Sequence, residues 1–266
     1  MLFMNKGSRT ISQYGEIVFT SSELERDRLV SLASIFDSTT IDCLRAIGVA
    51  PGWRCLEIGP GAGTMASWLA ERVYPGDVIA ADRDTTAFES PPRSNLTVTI
   101  ADVTDGAAMA RLGSFDLVYA RFVLMHLNER RQALGNMIKS LRPGGWLLIE
   151  DLTDLPARSP LTTEGMAWLW NSLGRAIGTD ADWGRALPDP LSEHGLVDTD
   201  VAVDVPVVRG AGPFARFLST TFGSTLNQLE NAEVSESVER FLRSLDDPEY
   251  IDWPLALVSA WGRRPT

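Results

Sequence analysis

The spacing of hydrophobic residues along the chain switches repeatedly between a helical and a strand-like period from residue 22 onward. Leu29, Leu32 and Phe36 fall on one face of a helix in 22–36, and a second helix is expected at 37–48. Five short apolar runs of strand length then alternate with further helices: 54–58, 78–82, 96–102, 115–120 and 146–152. Such alternation is typical of a parallel sheet with helices on both faces.

The alternation becomes less regular in the second half of the chain. Residues 161–178 form an aromatic-rich helical pattern, and valine at alternate positions predicts a strand in 197–208. The remaining predicted elements are helices at 185–195, 213–230 and 235–245 and a last strand at 255–261. We therefore expect a helical insertion between the last two strands.

Composition narrows the class of partner. The 266 residues carry a formal net charge of -11 without a basic run, and this field repels polyphosphate backbones, so nucleic acid is not expected as a partner. No run approaches the ~20 apolar residues of a membrane span, and the first residues lack the apolar core of a signal peptide, so a cytoplasmic enzyme is expected. With two histidines and with Cys43 and Cys55 far from them, no metal site is predicted.

The chemistry is concentrated in a glycine-rich loop after the first strand. Gly59, Gly61 and Gly63 follow that strand and precede a helix, which is the arrangement of a nucleotide-binding unit. Glu57 lies two positions before the first glycine. A fixed anion there repels the pyrophosphate of a dinucleotide and suits S-adenosyl-L-methionine (SAM), whose sulfonium and ammonium groups are positive.

Acidic residues also end the next two strands. Asp82 lies 25 residues after Glu57, where a carboxylate can accept hydrogen bonds from ribose hydroxyls, and Arg83 beside it is assigned to the same site. Asp102, with Val103 next to it, ends the third strand and can accept from an adenine amino group. Carboxyl ends of parallel strands share one sheet edge, so these residues predict a nucleoside-shaped slot.

In this arrangement the sequence resembles the class I SAM-dependent methyltransferases. The matching stretches occur in the order and approximate spacing of that family: LEIGPGAG at 56–63, IAAD at 79–82, ADV at 101–103, FDLVYA at 115–120 and LRPGGW at 141–146. The helical start and the tail from residue 185 resemble a bacterial small-molecule subgroup. An NAD-linked oxidoreductase fits less well, because the loop is GPGAG rather than GxGxxG and Glu57 is anionic.

The resemblance implies a Rossmann-like, doubly wound α/β fold with seven strands in the order 3-2-1-4-5-7-6, the last strand antiparallel. It also implies that Glu57, Gly59, Gly61 and Gly63 hold the methionine and ribose portions of SAM, Asp82 the ribose, and Asp102 with Val103 the adenine. We expect a single domain, 1–266, with a helical lid at 1–50, a SAM-binding core at 51–155, and acceptor-side helices and terminal strands at 156–266.

Candidates for the chemical step follow the fourth and fifth strands. Arg121 is assigned to the cofactor site, while an ion pair with a nearby acid and a contact to an anionic acceptor both remain open. His126 is the candidate general base, since its unperturbed pKa of ~6.5 suits proton removal near neutrality. Its alternative role is to cover the cofactor or cap a helix. Asp151 is the second catalytic candidate, against a role in a cap or salt bridge.

The expected function is methyl transfer from SAM to a small, lipophilic or aromatic acceptor, such as a natural-product or quinone-type intermediate. The sequence does not choose between oxygen, nitrogen and carbon acceptors. An alternative keeps the fold and SAM but uses them for a non-methylating reaction such as cyclisation. Trp168 and Trp170 cannot share a helix face, so one is expected in the core and the other beside the acceptor. A homodimer is compatible with the sequence.

Overall fold

A computed structural model describes residues 22–228 and 235–266 of the chain. Its helices are α1 (Ser22–Ile47), α2 (Thr64–Val73), α3 (Gly106–Leu112), α4 (Arg130–Lys139), α5 (Pro160–Ile177), α6 (Trp183–Ala186), α7 (Pro188–Glu193), α8 (Pro213–Gln228) and α9 (Glu236–Ser244). Its strands are β1 (Cys55–Ile58), β2 (Val78–Asp82), β3 (Leu96–Ile100), β4 (Phe115–Arg121), β5 (Leu141–Asp154), β6 (Val197–Asp204), β7 (Val208–Arg209), β8 (Ile251–Asp252) and β9 (Leu255–Arg263).

Seven strands of the described residues form one sheet in the order β3-β2-β1-β4-β5-β9-β6. Neighbours from β3 to β5 run parallel, whereas β9 lies antiparallel between β5 and β6. When β7 and β8, which form a separate two-stranded sheet, are left out of the count, this is the predicted order 3-2-1-4-5-7-6. The predicted Rossmann-like fold and its antiparallel last strand are therefore confirmed, as is the helical insertion before β9.

One continuous helix replaces the two helices predicted between residues 22 and 48. The predicted break rested on capping side chains at 37–39, but these positions lie inside α1. Asp37 accepts a hydrogen bond from Arg121, and Thr40 donates to Glu150, so tertiary partners satisfy polar side chains that would otherwise compete for the local backbone. The prediction of two helices was wrong because those partners are distant in sequence.

Other boundaries differ for local reasons. The strand predicted at 197–208 ends at Asp204 as β6, and Val208–Arg209 pairs instead with Ile251–Asp252. Pro206 stands between the two segments and has no N–H for a sheet hydrogen bond. The helix predicted at 185–195 consists of the two short helices α6 and α7. None of the helices in the described ranges is long and apolar enough to cross a bilayer.

Helix α1 spans two hydrophobic clusters and thereby covers one edge of the sheet. Its first half contributes Leu32 and Phe36 to the larger cluster, where the Phe36 ring lies 5.9 Å from that of Phe214 on α8. Its second half contributes Cys43 and Leu44 to the cluster under α2. Because α1 is anchored on both sides, it holds a fixed position above the carboxyl ends of β1 and β4.

Candidate functional site

A cavity of about 710 Å³ opens at the carboxyl ends of the central parallel strands, which is where open α/β sheets bind their ligands. Its floor is made by the glycine loop and the ends of β1, β2 and β4. Helices α1, α5 and α8 form its other walls. The volume lies within the ~300–1,000 Å³ that is usual for small-molecule sites.

The glycine loop contributes Gly59 and Gly61 to the cavity lining but not Gly63. All three have positive φ angles, 70°, 52° and 84°, which favour glycine. A Cβ on Gly59 would overlap Val123 Cγ2, and one on Gly63 would lie 2.6 Å from Phe88 Cε2. Gly59 and Gly61 therefore line the cavity, whereas the missing side chain of Gly63 makes room for Phe88.

Glu57 lies in the cavity wall and is 3% exposed. Its Oε2 atom has no hydrogen-bond partner within the described part of the chain. Burial raises the pKa of Glu57 to about 8, an effect that nearby Arg121 opposes and Asp37 reinforces. A buried carboxyl with an unsatisfied oxygen is stabilised by a cationic donor, so the site fits a ligand that carries positive charge.

The acidic residues at the ends of β2 and β3 differ in whether their side chains reach the cavity. Asp82, Arg83 and Val103 line the cavity, and burial raises the pKa of Asp82. Asp102 is outside the lining: its Oδ1 accepts from the Thr104 amide at 2.8 Å, and its Oδ2 lies 3.4 Å from Arg83. The structure thus brings Asp82 and Val103 to the predicted slot, while the Asp102 side chain stabilises the adjoining turn.

Arg121 lines the cavity, but its guanidinium is engaged with α1. One nitrogen donates to Asp37 at 2.6 Å and another to Thr40 Oγ1 at 2.8 Å. Burial alone lowers the pKa of Arg121, yet Tyr119, Glu150 and Asp37 raise it, and the net change is upward. The group is therefore a permanent cation at the end of β4.

The two catalytic candidates have unequal access to the cavity. His126 lines it, with Nδ1 2.9 Å from Thr179 Oγ1. Burial, with Arg28 and Arg130 nearby, lowers the pKa of His126 to about 3, so the imidazole is neutral near pH 7 and only weakly basic. Asp151 is fully buried and outside the lining, where its strand neighbour Leu152 lies instead. Burial raises the pKa of Asp151, and its position outside the cavity lining separates it from the acceptor that its predicted role as a proton acceptor requires.

The far half of the cavity is predominantly apolar. A stripe along α5 supplies most of its wall, and α8 faces that stripe; the residues are Met166, Leu169, Trp170, Leu173, Phe217, Leu218 and Thr221. Asp154 accepts a hydrogen bond from Trp170 Nε1 at 3.0 Å, which fixes the indole. Trp168 instead stacks on Phe222 in the core, with ring centroids 5.6 Å apart. This is the division of roles expected for two tryptophans two positions apart.

Some residues at the site carried no decisive signal in the sequence. Arg28 lies in the cavity wall, 5% exposed, with its guanidinium hydrogen bonded to Glu25 and 5.5 Å from the centre of the Phe217 ring. Leu29 packs beside Gly61. The helical spacing of both was visible, but which helix covers the site depends on long-range packing. Tyr14, which belongs to the helical lid expected at 1–50, lies outside the described residues.

Comparison with known sequences identifies a methyltransferase domain over the core of this site. Residues 56–149 match the family model described as "Methyltransferase domain". Methyltransferase str3 of Strobilurus tenacellus is 29% identical over 65% of this chain and 66% of its own length. Methyltransferase str2 of the same organism is 28% identical over 89% of this chain and 90% of its own. A ubiquinone/menaquinone biosynthesis C-methyltransferase of Vibrio vulnificus is 28% identical over 58% of this chain and 62% of its own.

Solved structures share the fold at low sequence identity. Phosphoethanolamine N-methyltransferase 2 of Haemonchus contortus, solved in complex with SAM, superposes with a TM-score of 0.59 and 13% identity over 97% of this chain and 61% of that one. An O-methyltransferase family protein of Burkholderia thailandensis gives a TM-score of 0.53 and 14% identity over 92% of this chain and 60% of that one.

The sheet order, the glycine loop and the matched domain lead to one family. The buried oxygen of Glu57 and the cavity lined by Gly59 and Gly61 fit a cationic nucleoside cofactor. Residues 56–149 form a methyltransferase domain, and the relatives and the fold support a class I SAM-dependent methyltransferase.

Proposed function

We propose that the chain transfers the methyl group of SAM to a small, apolar or aromatic acceptor held between α5 and α8. The observation that carries this proposal is one continuous cavity with two chemically different halves. One half is acidic and glycine-lined, and the other is walled by aliphatic and aromatic side chains. We expect a molecule in each half, with the reacting atoms where the halves meet.

In the acidic half, Glu57 and Asp82 would hold the cofactor. Glu57 offers its unsatisfied oxygen to the positively charged end, and Asp82 offers hydrogen-bond acceptors to the ribose. Arg83 and Val103 line the nucleoside side. When bound there, SAM supplies a methyl group already activated by its sulfonium.

In the apolar half, the acceptor would be held by burial of its apolar surface and by a complementary shape. Trp170 presents a ring fixed by Asp154, and Met166 and Leu169 lie on the same face of α5. Burying such surface contributes roughly 25 cal/mol per Å². A relative named as a ubiquinone/menaquinone biosynthesis C-methyltransferase supports a quinone-type acceptor.

The residues of the chain would act mainly by alignment and by exclusion of water. Such positioning can supply ~7–11 kcal/mol of barrier reduction without a dedicated catalytic group. His126, as a neutral imidazole, can donate a hydrogen bond to the acceptor, or accept one from it, more readily than it can remove a proton. We therefore propose that His126 orients the acceptor. A cytoplasmic location and an acceptor other than nucleic acid remain expectations from sequence.

The test uses the full chain, SAM with a labelled methyl group, and a panel of phenols, quinols and carboxylic acids of graded hydrophobicity. The expected result is label in an apolar product with equimolar S-adenosylhomocysteine. Trp170→Ala should raise the acceptor KM and leave the affinity for S-adenosylhomocysteine unchanged. The matched control is Trp253→Ala, at a residue that is 40% exposed and outside the cavity lining. An acceptor converted while SAM stays intact would instead support cyclisation and refute methyl transfer.

A further inference from the structure

The guanidinium of Arg121 joins two parts of the molecule that meet at the cofactor half of the cavity. It extends from the end of β4 and contacts Asp37 and Thr40, which are close together on α1. The distances are 2.6 Å to Asp37 Oδ1 and 2.8 Å to Thr40 Oγ1. Both contacts lie on the helix that covers the carboxyl ends of β1 and β4.

A buried hydrogen-bond network continues from Thr40 into the sheet. Thr40 Oγ1 lies 2.6 Å from Glu150 Oε2, which also accepts from the Tyr119 hydroxyl at 3.2 Å. The other oxygen of Glu150 accepts from Ser259 at 2.6 Å. Burial raises the pKa of Glu150, although Arg121 and these donors oppose the effect. The network fixes the geometry of α1 above the sheet independently of Glu57.

Glu57 lies within the electrostatic reach of the same guanidinium. Arg121 favours its ionised form, while Asp37 disfavours it. The other titratable groups around Glu57 are Tyr119 on β4 and Cys55 on its own strand, and burial raises the pKa of both. These two therefore stay neutral near pH 7, so Arg121 and Asp37 are the neighbouring charges that act on Glu57.

Direct contact between Arg121 and the sulfonium or ammonium group of SAM is disfavoured by charge. A guanidinium beside a sulfonium and an ammonium group is repulsive unless an anion balances it. Asp37 supplies that anion and also occupies one edge of the guanidinium. Glu57 pairs in register with Tyr119, which stands two residues before Arg121 on β4, and both Glu57 and Arg121 line the cavity. Since residues two apart on a strand share a face of the sheet, Arg121 lies beside the carboxylate that would face the cofactor.

We propose that Arg121 is a positioning residue, which fastens α1 over the site through Asp37 and Thr40 and supplies the positive charge that keeps Glu57 ready for a cationic ligand. This rests on the proposed function, since it takes Glu57 to be the group that faces the cofactor. Asp37 then has two effects: it holds the guanidinium in place, and its negative charge partly offsets the effect of Arg121 on Glu57.

The experiment follows the ionisation of Glu57 in the ligand-free protein by ¹³C NMR of labelled glutamate carboxyl groups between pH 5 and 9. The Glu57 signal is the one that disappears in Glu57→Gln. Arg121→Gln should raise the pKa of Glu57, whereas Asp37→Asn should lower it, because the two changes remove opposite charges. Thr40→Val removes the hydrogen bonds to Arg121 and Glu150 without changing charge, so it should lower the melting temperature and leave the pKa of Glu57 unchanged. Arg142→Gln, at the other end of the same sheet, is the matched control and should leave the pKa of Glu57 unchanged.

Calorimetry with S-adenosylhomocysteine gives a second measure of the ionisation state of Glu57. For each unit by which the pKa of Glu57 rises above 8, the ionised fraction at pH 7 falls about tenfold, and the affinity should fall with it. Arg121→Lys keeps the charge but not the two-pronged contact, so it should retain the pKa of Glu57 and lose thermal stability.

The proposal is overturned if Arg121→Gln and Asp37→Asn shift the titration of Glu57 in the same direction, or if neither shifts it. Such results would leave the network as a purely structural contact. A different failure, in which Glu57→Gln binds S-adenosylhomocysteine as tightly as the unmodified protein, would contradict the proposed cofactor site itself. The two outcomes are therefore distinguishable.

Discussion

Gly63→Ala tests whether the third glycine of the loop serves packing rather than ligand contact. Gly63 has a φ of 84°, and a Cβ there would lie 2.6 Å from Phe88 Cε2 and 2.9 Å from Phe88 Cζ. A left-handed backbone costs a non-glycine residue ~1–2 kcal/mol. Overpacking against the ring adds ~1–3 kcal/mol. We expect a total loss of roughly 2–5 kcal/mol in the free energy of unfolding, from the same two terms.

Gly48→Ala separates the two contributions. Gly48 has a φ of 90° but nothing within 4 Å of its would-be Cβ, so this variant should show the backbone cost alone. Urea unfolding at pH 7 gives both values. Phe88→Ala should then relieve the clash, so that the double variant is more stable than the sum of the single changes by ~1–3 kcal/mol. The reasoning is refuted if Gly63→Ala costs no more than Gly48→Ala, or if Phe88→Ala gives no relief.

Three further predictions concern titration and packing at the site. The pKa of Glu57 rises from an ordinary value of 4.5 to about 8 in the folded protein, so this carboxyl costs stability progressively as pH rises between these two values. Thermal unfolding should show Glu57→Gln to be more stable than the unmodified ligand-free protein at pH 8.5 and equal to it at pH 4, and equality at both values would contradict the burial argument. The pKa of His126 is about 3, so the unfolded chain binds a proton below pH ~6.5 that the folded chain does not. The contribution of His126 to stability should therefore fall between pH 7 and pH 5, so His126→Gln should become more stable relative to the unmodified protein over that range in urea unfolding; an unchanged difference between the two proteins would show that His126 has no such effect. Thr40→Val removes a donor to buried Glu150 and should cost ~1–3 kcal/mol in the same assay, whereas Thr163→Val, at an exposed position, should cost little; equal costs would contradict the network.

The resemblance to the methyltransferase family supplied the sheet order, and the sequence pattern itself was sufficient to predict the edge on which the candidate site lies. Strand-length apolar runs and the glycine loop define β1, β2 and β4, and parallel strands necessarily bring Glu57 and Asp82 to one edge. The direction in which each side chain points was harder to predict from the sequence. Asp102 turns to the Thr104 amide, and Asp151 lies behind Leu152, because local hydrogen bonds and strand alternation decide which atoms reach the cavity.

Long-range polar contacts were not predictable from a single sequence. Arg121 meets Thr40 across 81 residues, and Thr40 meets Glu150 across 110. Without those partners, the polar residues in the middle of α1 favour a helix break, which the structure does not contain. The same limitation explains why Phe88 was not connected with Gly63.

The central claim is that the acidic half of the cavity binds an adenosine nucleoside that carries a positively charged ammonium group, and calorimetric titration tests it most directly. S-adenosylhomocysteine should bind the unmodified protein at one site, with affinity at least about tenfold weaker in Asp82→Asn, which is a loss of ~1.4 kcal/mol or more. NADH should give no binding heat. The account is contradicted if S-adenosylhomocysteine does not bind, or if NADH binds tightly in its place.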